Sequence, residues 1–270
     1  MYKDFYGFKE NPFNITSDPH FMYLSKRHQE AFAFLLYGIR ERKGFIEITG
    51  DIGTGKTTLC RALLNELNSD TKTAFILNPR LSESQFVRAI VEDFGLPLRR
   101  NTKVDMINAL NIFLTEQHSF GNNVVLIIDE AQNLKKSVLE EVRLLSNLET
   151  EKDKLFQIIL VGQPELKQKL SSPGLAQLKQ RISIRYHMSP LDKEDLAPYI
   201  CRRLSVAGSN GDVVFNDDAL ETIYTYSKGV PRLINIVCDR TLLLGYVQEV
   251  RTFNTGLIQK AISEIEGSGL

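Results

Sequence analysis

The sequence predicts an α/β protein, a parallel sheet with helices on both faces followed by a small all-helical lid. Three observations predict it. Strand candidates at residues 45–49, 73–77, 124–128, 156–161 and 182–187 alternate with helical patterns, the order that crossover connections between parallel strands produce. The run Val124-Val125-Leu126-Ile127-Ile128 is apolar at every position, as a strand covered on both faces must be. After Ser189-Pro190 the apolar spacing is helical only, which sets a boundary near Pro190 between residues 1–190 and residues 191–270.

The first two dozen residues are rich in aromatics and turn formers, among them Tyr2, Phe5, Tyr6, Phe8, Pro12, Phe13, Pro19, Phe21 and Tyr23. That composition predicts an extended arm packed on the body rather than a helix. Ser25 is placed to cap a helix carrying Ala31, Leu35, Leu36 and Ile39 at helical spacing and ending before Gly44. The strand at 45–49 runs into Gly50, and a helix follows from about Lys56 to Leu67. Beyond the boundary, helices are expected at 193–206, 218–226, 231–247 and 255–265.

Composition narrows the class without naming a partner. The chain has 270 residues, 43% of them hydrophobic, and 33 basic side chains balance 33 acidic ones. A chain of this apolar content buries enough surface to fold, so disorder is excluded. Neutral net charge removes the global pull of a dedicated nucleic-acid binder. Cys60, Cys201 and Cys238 are an odd number without a paired spacing, which indicates neither a disulfide framework nor a zinc site and fits a reducing compartment. No run approaches the roughly 18 apolar residues of a spanning helix, and the N-terminus lacks a leader pattern; a cytoplasmic chain is expected.

The strongest chemical signal is Gly50-Asp51-Ile52-Gly53-Thr54-Gly55-Lys56-Thr57, followed by Thr58, between a predicted strand and a predicted helix. Glycines let the backbone wrap a phosphate, successive N–H groups and the helix N-terminus point at it, Lys56 reaches the β/γ oxygens, and the Thr57 hydroxyl can ligate Mg²⁺. ATP and Mg²⁺ are the ligands this spacing calls for. The second signal is Asp129-Glu130 at the end of the all-apolar strand. Asp129 there can hold the metal, and Glu130 can polarise an attacking water, which favours hydrolysis over kinase-like transfer.

Three polar residues complete the candidate site. Gln163 follows the fourth strand and is placed to reach the γ-phosphate or the lytic water. Arg181, at the start of the last strand, faces away from its own nucleotide, as a finger offered to a neighbouring subunit would; Arg185 is its competitor. Arg232, in Gly229-Val230-Pro231-Arg232, begins a helix with proline in its first turn. The four histidines lack metal spacing, and the pairs Arg99-Arg100 and Arg202-Arg203 read as solvated faces. The N-terminal aromatics read as packing residues, with Pro12, Tyr23 and Leu24 the positions that would border an adenine.

In order along the chain, GDIGTGKT, VVLIIDEAQNL, IILVGQPEL, LKQRISIRYHMSPL and GVPRLIN resemble an AAA+ ATPase. The opening MYKDFYGFKENPFNITSDPHFMYLSKRHQEAFAFLLYGI, with IDEAQNL and VGQPEL, is similar to the GspA/ExeA family of secretion-associated ATPases and its MshM-like relatives. The resemblance covers about residues 1–265. It implies Lys56 and Thr57 as the Walker A pair, Asp129 and Glu130 as the Walker B pair, Gln163 as sensor 1, Arg181 as the finger and Arg232 as sensor 2. It also implies self-association into a ring or arc, a hexamer being one such form. A membrane-bound partner in assembling a type II secretion, type IV pilus or exopolysaccharide envelope complex is implied as well.

GspA-like proteins typically continue into a transmembrane helix and a periplasmic peptidoglycan-binding region, whereas this chain ends at Leu270. It is expected to be either a short member or the cytoplasmic piece of a longer protein. The alternative is an ATP-dependent DNA-binding regulator of the TnsC/TniB transposition kind, which shares the DEAQ-type Walker B.

Overall fold

The computed structural model describes residues 2–77, 79–98, 102–149 and 154–267; the basic pair Arg99-Arg100 lies outside them. In chain order its elements are α1 (Tyr2–Tyr6), α2 (Lys26–Arg40), β1 (Phe45–Gly50), α3 (Lys56–Glu66), β2 (Thr71–Ile76), α4 (Glu83–Asp93), α5 (Lys103–Ser119), β3 (Asn123–Ile128), α6 (Lys136–Leu145) and β4 (Gln157–Gly162). There follow α7 (Pro164–Leu170), α8 (Ala176–Arg181), β5 (Ile182–Met188), α9 (Lys193–Val206), β6 (Val214–Phe215), α10 (Asp217–Ser227), α11 (Pro231–Val247), β7 (Thr252–Phe253) and α12 (Thr255–Ile265). These fall into two compact units. One is His28–Ile52 with Leu59–Met188; the other joins the N-terminal segment to Arg27, Gly53–Thr58 and the C-terminal segment from Ser189.

The α/β unit is built on a parallel sheet of order β2-β3-β4-β1-β5. Every residue of β1 and β4 is buried, and so is β3 after Asn123, which explains their unbroken apolar runs. Helix α4 opens with a capping box: Ser82 Oγ accepts from the Gln85 N–H, and Gln85 Oε1 accepts from the Ser82 N–H at 3.0 Å. Phe86, Ile90, Leu110, Leu126, Val142 and Leu160 lie in one core that joins helices to the sheet. On α2, Gly38 permits close approach to β1, since a Cβ there would lie 2.5 Å from Ile46 Cδ1.

The second unit corrects three expectations. The N-terminal arm is not extended throughout: Tyr2–Tyr6 is helical, because this turn lets Tyr6 bury its ring and donate from Oη to the Leu242 and Val250 carbonyls, both at 3.1 Å. Burial pushes the Tyr6 phenol up to about 12. The arm also groups with the helical region rather than with residues of the sheet, since Tyr6, Phe8, Phe13 and Phe21 share one core with Tyr199, Leu242 and Phe253. Buried Arg203 fastens it further, donating to the Pro12 carbonyl at 2.6 Å and the Asn14 carbonyl at 2.8 Å while lying over the Phe21 ring. Finally, the segment after Pro190 is not helical alone, because β6 and β7 pair in parallel. Two-residue strands carry too little period-two signal to be read from sequence.

Candidate nucleotide site

The register of the sheet brings three turns to one edge. Thr49 of β1 pairs with Gly162 of β4, and Ile128 of β3 pairs with Leu160 of β4. The chain therefore leaves the carboxyl ends of three adjacent strands at Gly50, Asp129 and Gln163, where ligands of open parallel sheets bind.

After β1 the phosphate-loop sequence is shaped by its glycines. Gly53 and Gly55 take φ of 82° and 95°, the left-handed region that costs glycine nothing. Left-handed residues inside such a turn aim successive N–H groups into one concavity, where an anion binds. Gly53 has a second constraint: a Cβ there would lie 2.6 Å from Arg232 Cβ. The Arg232 main-chain N–H donates to the Gly53 carbonyl at 3.2 Å, so the start of α11 seats directly on this loop. Thr54 and Lys56 are buried, Thr57 and Thr58 half-buried, and Asp51 and Ile52 exposed. Lys56 is the first residue of α3, a cation beside a helix N-terminus, and that combination suits the phosphates of a nucleotide.

After β3, Asp129 is 1% exposed, and its Oδ1 accepts from the Glu130 N–H at 2.9 Å. Glu130 has φ 53° although it is not glycine. Its Oε2 accepts from Gln132 Nε2 at 2.5 Å and from Gln163 Nε2 at 3.2 Å. Gln163, the residue preceding α7, is therefore brought to Glu130. Gln132 was not singled out by the sequence; the available signal was a second amide side chain two places after the acidic pair. Asp129 and Thr57 offer hard oxygen ligands of the kind Mg²⁺ takes. Among the described residues no group of three or more His, Cys, Asp or Glu could hold a metal, and a Mg²⁺ site completed by phosphates and water needs none.

The arginines have separate settings. Arg181 ends α8 rather than opening the strand, because the helical turn runs one residue further than the β pattern indicated. Its Nη1 donates to Ser146 Oγ at 2.7 Å. Arg185 is engaged within its own chain, with Nε 3.4 Å from Glu47 Oε2 and Nη2 donating to the Lys179 carbonyl at 2.5 Å. Burial raises the Glu47 carboxyl above its usual range, with Arg185 opposing the shift. Exposed Arg232 is the second residue of α11. Gly229 admits this segment, since a Cβ there would lie 2.0 Å from the Leu191 carbonyl oxygen. Pro12 and Tyr23 are committed within the helical unit, the first through its carbonyl to Arg203 and the second by donating from Oη to Asp195 at 3.1 Å.

A parallel sheet of this order, a phosphate loop after β1 and an acidic pair after β3 define a P-loop NTPase. The chain carries an AAA+ ATPase domain: a family model described as an AAA domain matches residues 39–170. The sequence is 42% identical over 268 residues to General secretion pathway protein A of Aeromonas hydrophila, an alignment that covers 99% of this chain and 49% of that protein. The chain spans about half the length of the curated relatives it matches. Among solved structures, it is similar to the Aeropyrum pernix ORC2 protein in ADPNP–ADP complexes, with a TM-score of 0.71 and 17% identity over 95% of this chain and 72% of that one. It is also similar to Drosophila ORC bound to DNA, with a TM-score of 0.66 and 19% identity over 88% of this chain and 60% of that one. At these identities the likeness is one of fold, including the helical lid. Among the described residues no helix is long and apolar enough to cross a membrane.

Proposed function

We propose that this chain binds ATP with Mg²⁺ and hydrolyses it, with Glu130 as the general base. The observation that carries this is the Glu130 carboxylate, held by two amide side chains at the sheet edge where β1 opens into the phosphate loop. Lys56 supplies the cation for the β/γ-phosphate oxygens, the main chain of residues 50–57 and Thr58 line the phosphates, and Thr57 and Asp129 hold the metal. Mg²⁺, when bound, neutralises charge on the phosphate oxygens. Glu130 takes a proton from water as the water oxygen bonds to the γ-phosphorus; the bond from that phosphorus to the β-phosphate bridging oxygen breaks, and ADP and phosphate leave. Gln163 orients the water, and Arg232 reads the nucleotide from the lid. Arg181 acts in trans, in a ring or arc of subunits, where it exchanges Ser146 for a neighbour's phosphate. Residues 1–190 and 191–270 serve as nucleotide-binding domain and lid, with the arm travelling with the lid.

Two clients fit such an engine. The 42% identical relative, a general secretion pathway protein, supports the assembly or remodelling of a secretion or pilus envelope complex, by a cytoplasmic subunit that reaches the inner membrane through a partner. The fold likenesses weigh toward the second reading, an ATP-dependent regulator acting on DNA, since one of these structures is an ORC bound to DNA. Light scattering and phosphate release with ATP, with and without duplex DNA, separate them. DNA-dependent assembly or stimulation supports the DNA reading; indifference to DNA supports the envelope reading. Specific activity that stays flat across dilution contradicts the trans-acting arginine in either case.

A further inference from the structure

Gln132 uses both ends of its amide at once. Its Nε2 donates to Glu130 Oε2 at 2.5 Å, and its Oε1 accepts from the Gln163 main-chain N–H at 3.1 Å. Gln163 returns its own side-chain amide to the same Glu130 oxygen at 3.2 Å, so the three residues form a closed loop of hydrogen bonds. The turn that carries them is pinned by Lys169, whose Nζ donates to the Gln132 carbonyl and, at 2.9 Å, to the Leu134 carbonyl.

Two features show that this loop is built rather than incidental. Glu130 sits at φ 53°, a conformation costing a non-glycine residue about 1 kcal/mol and kept only where its surroundings over-determine it. And glycine at residue 162 leaves Gln132 its present position: a Cβ there would lie 2.7 Å from Gln132 Oε1 and push it aside. Both donations to Glu130 land on Oε2, which leaves Oε1 for the proton of a water.

We propose that Gln132 is a positioning residue for hydrolysis, fixing the orientation of Glu130 and tying it to the main chain at the β4–α7 junction. This rests on Glu130 being the base. Misplacing a reacting group by about 1 Å costs up to ~100-fold in rate, so loss of this hold is read in kcat rather than in nucleotide affinity.

The test compares Gln132→Glu, Gly162→Ala and Glu130→Gln with the native chain. Gln132→Glu keeps the size and the acceptor for the Gln163 N–H but sets a second carboxylate against Glu130. It is expected to lower kcat about 10–100-fold with ATP affinity within about twofold. Gly162→Ala presses a Cβ to 2.7 Å from Gln132 Oε1, and to 3.0 Å from Leu166 Cδ2, without changing charge; it is expected to lower kcat in the same direction, with ATP affinity within about twofold. Native kcat in these two variants, beside a dead Glu130→Gln, would overturn the positioning role alone. Full turnover by Glu130→Gln would overturn the base on which it rests.

Discussion

The turn after β1 and the turn after β3 both leave the carboxyl end of a buried parallel strand, yet one is shaped by its main chain and the other by side chains. After β1, two glycines take the left-handed region freely, and the proposed phosphate contacts are main-chain N–H groups and a helix N-terminus. After β3, a glutamate is held in that region by amides from Gln132 and Gln163. The difference teaches where each turn is vulnerable. A backbone cradle fails when a side chain is added, whereas a side-chain clamp fails when a donor is removed.

The largest effect is expected from the cation of the first turn. Lys56→Ala should weaken ATP binding at least about 100-fold, the equivalent of about 2.8 kcal/mol, because the helix N-terminus alone cannot replace a full charge on the β/γ oxygens. Calorimetry reads it directly, and native affinity would remove the phosphate-loop assignment.

Gly53→Ala should come next. It imposes φ 82° on an L-residue and drives a Cβ to 2.6 Å from Arg232 Cβ, so a stability loss of about 1–3 kcal/mol is expected in denaturant unfolding, with weaker ATP binding alongside. An unchanged midpoint would show that the start of α11 yields easily.

The opposite substitution in the second turn should have the smallest effect on stability, because two contributions oppose each other. Glu130→Gly relieves the left-handed strain, worth about 1 kcal/mol, while losing the hydrogen bonds from Gln132 and Gln163. Folding stability should change by less than about 1 kcal/mol, whereas phosphate release should disappear. A large destabilisation would make Glu130 a structural residue.

The same contrast decides what could be read in advance. The phosphate loop was legible because its chemistry is carried by glycines at fixed spacing, and the sheet because β1, β3 and β4 are buried along almost their whole length. Asp129 and Glu130 were legible as residue types at the end of an apolar strand. What was not legible is how Glu130 is held, since the bond from Gln163 joins residues 33 positions apart, and the amide two places after the acidic pair gives no sign of its partner or of the need for Gly162. The arm misled for a similar reason. Its aromatics signal packing, but only the tertiary partners Leu242, Val250 and Arg203 determine that it folds with the helical unit.

The central claim is that Glu130 performs the chemistry in a site whose binding is done elsewhere. The most direct measurement pairs ATP affinity with phosphate release at saturating ATP and Mg²⁺ for the native chain and for Glu130→Gln. Affinity within about twofold is expected, with turnover lowered by about 10²–10⁴-fold and the ATP-bound assembly accumulating. Normal phosphate release by Glu130→Gln, at native affinity, would contradict it.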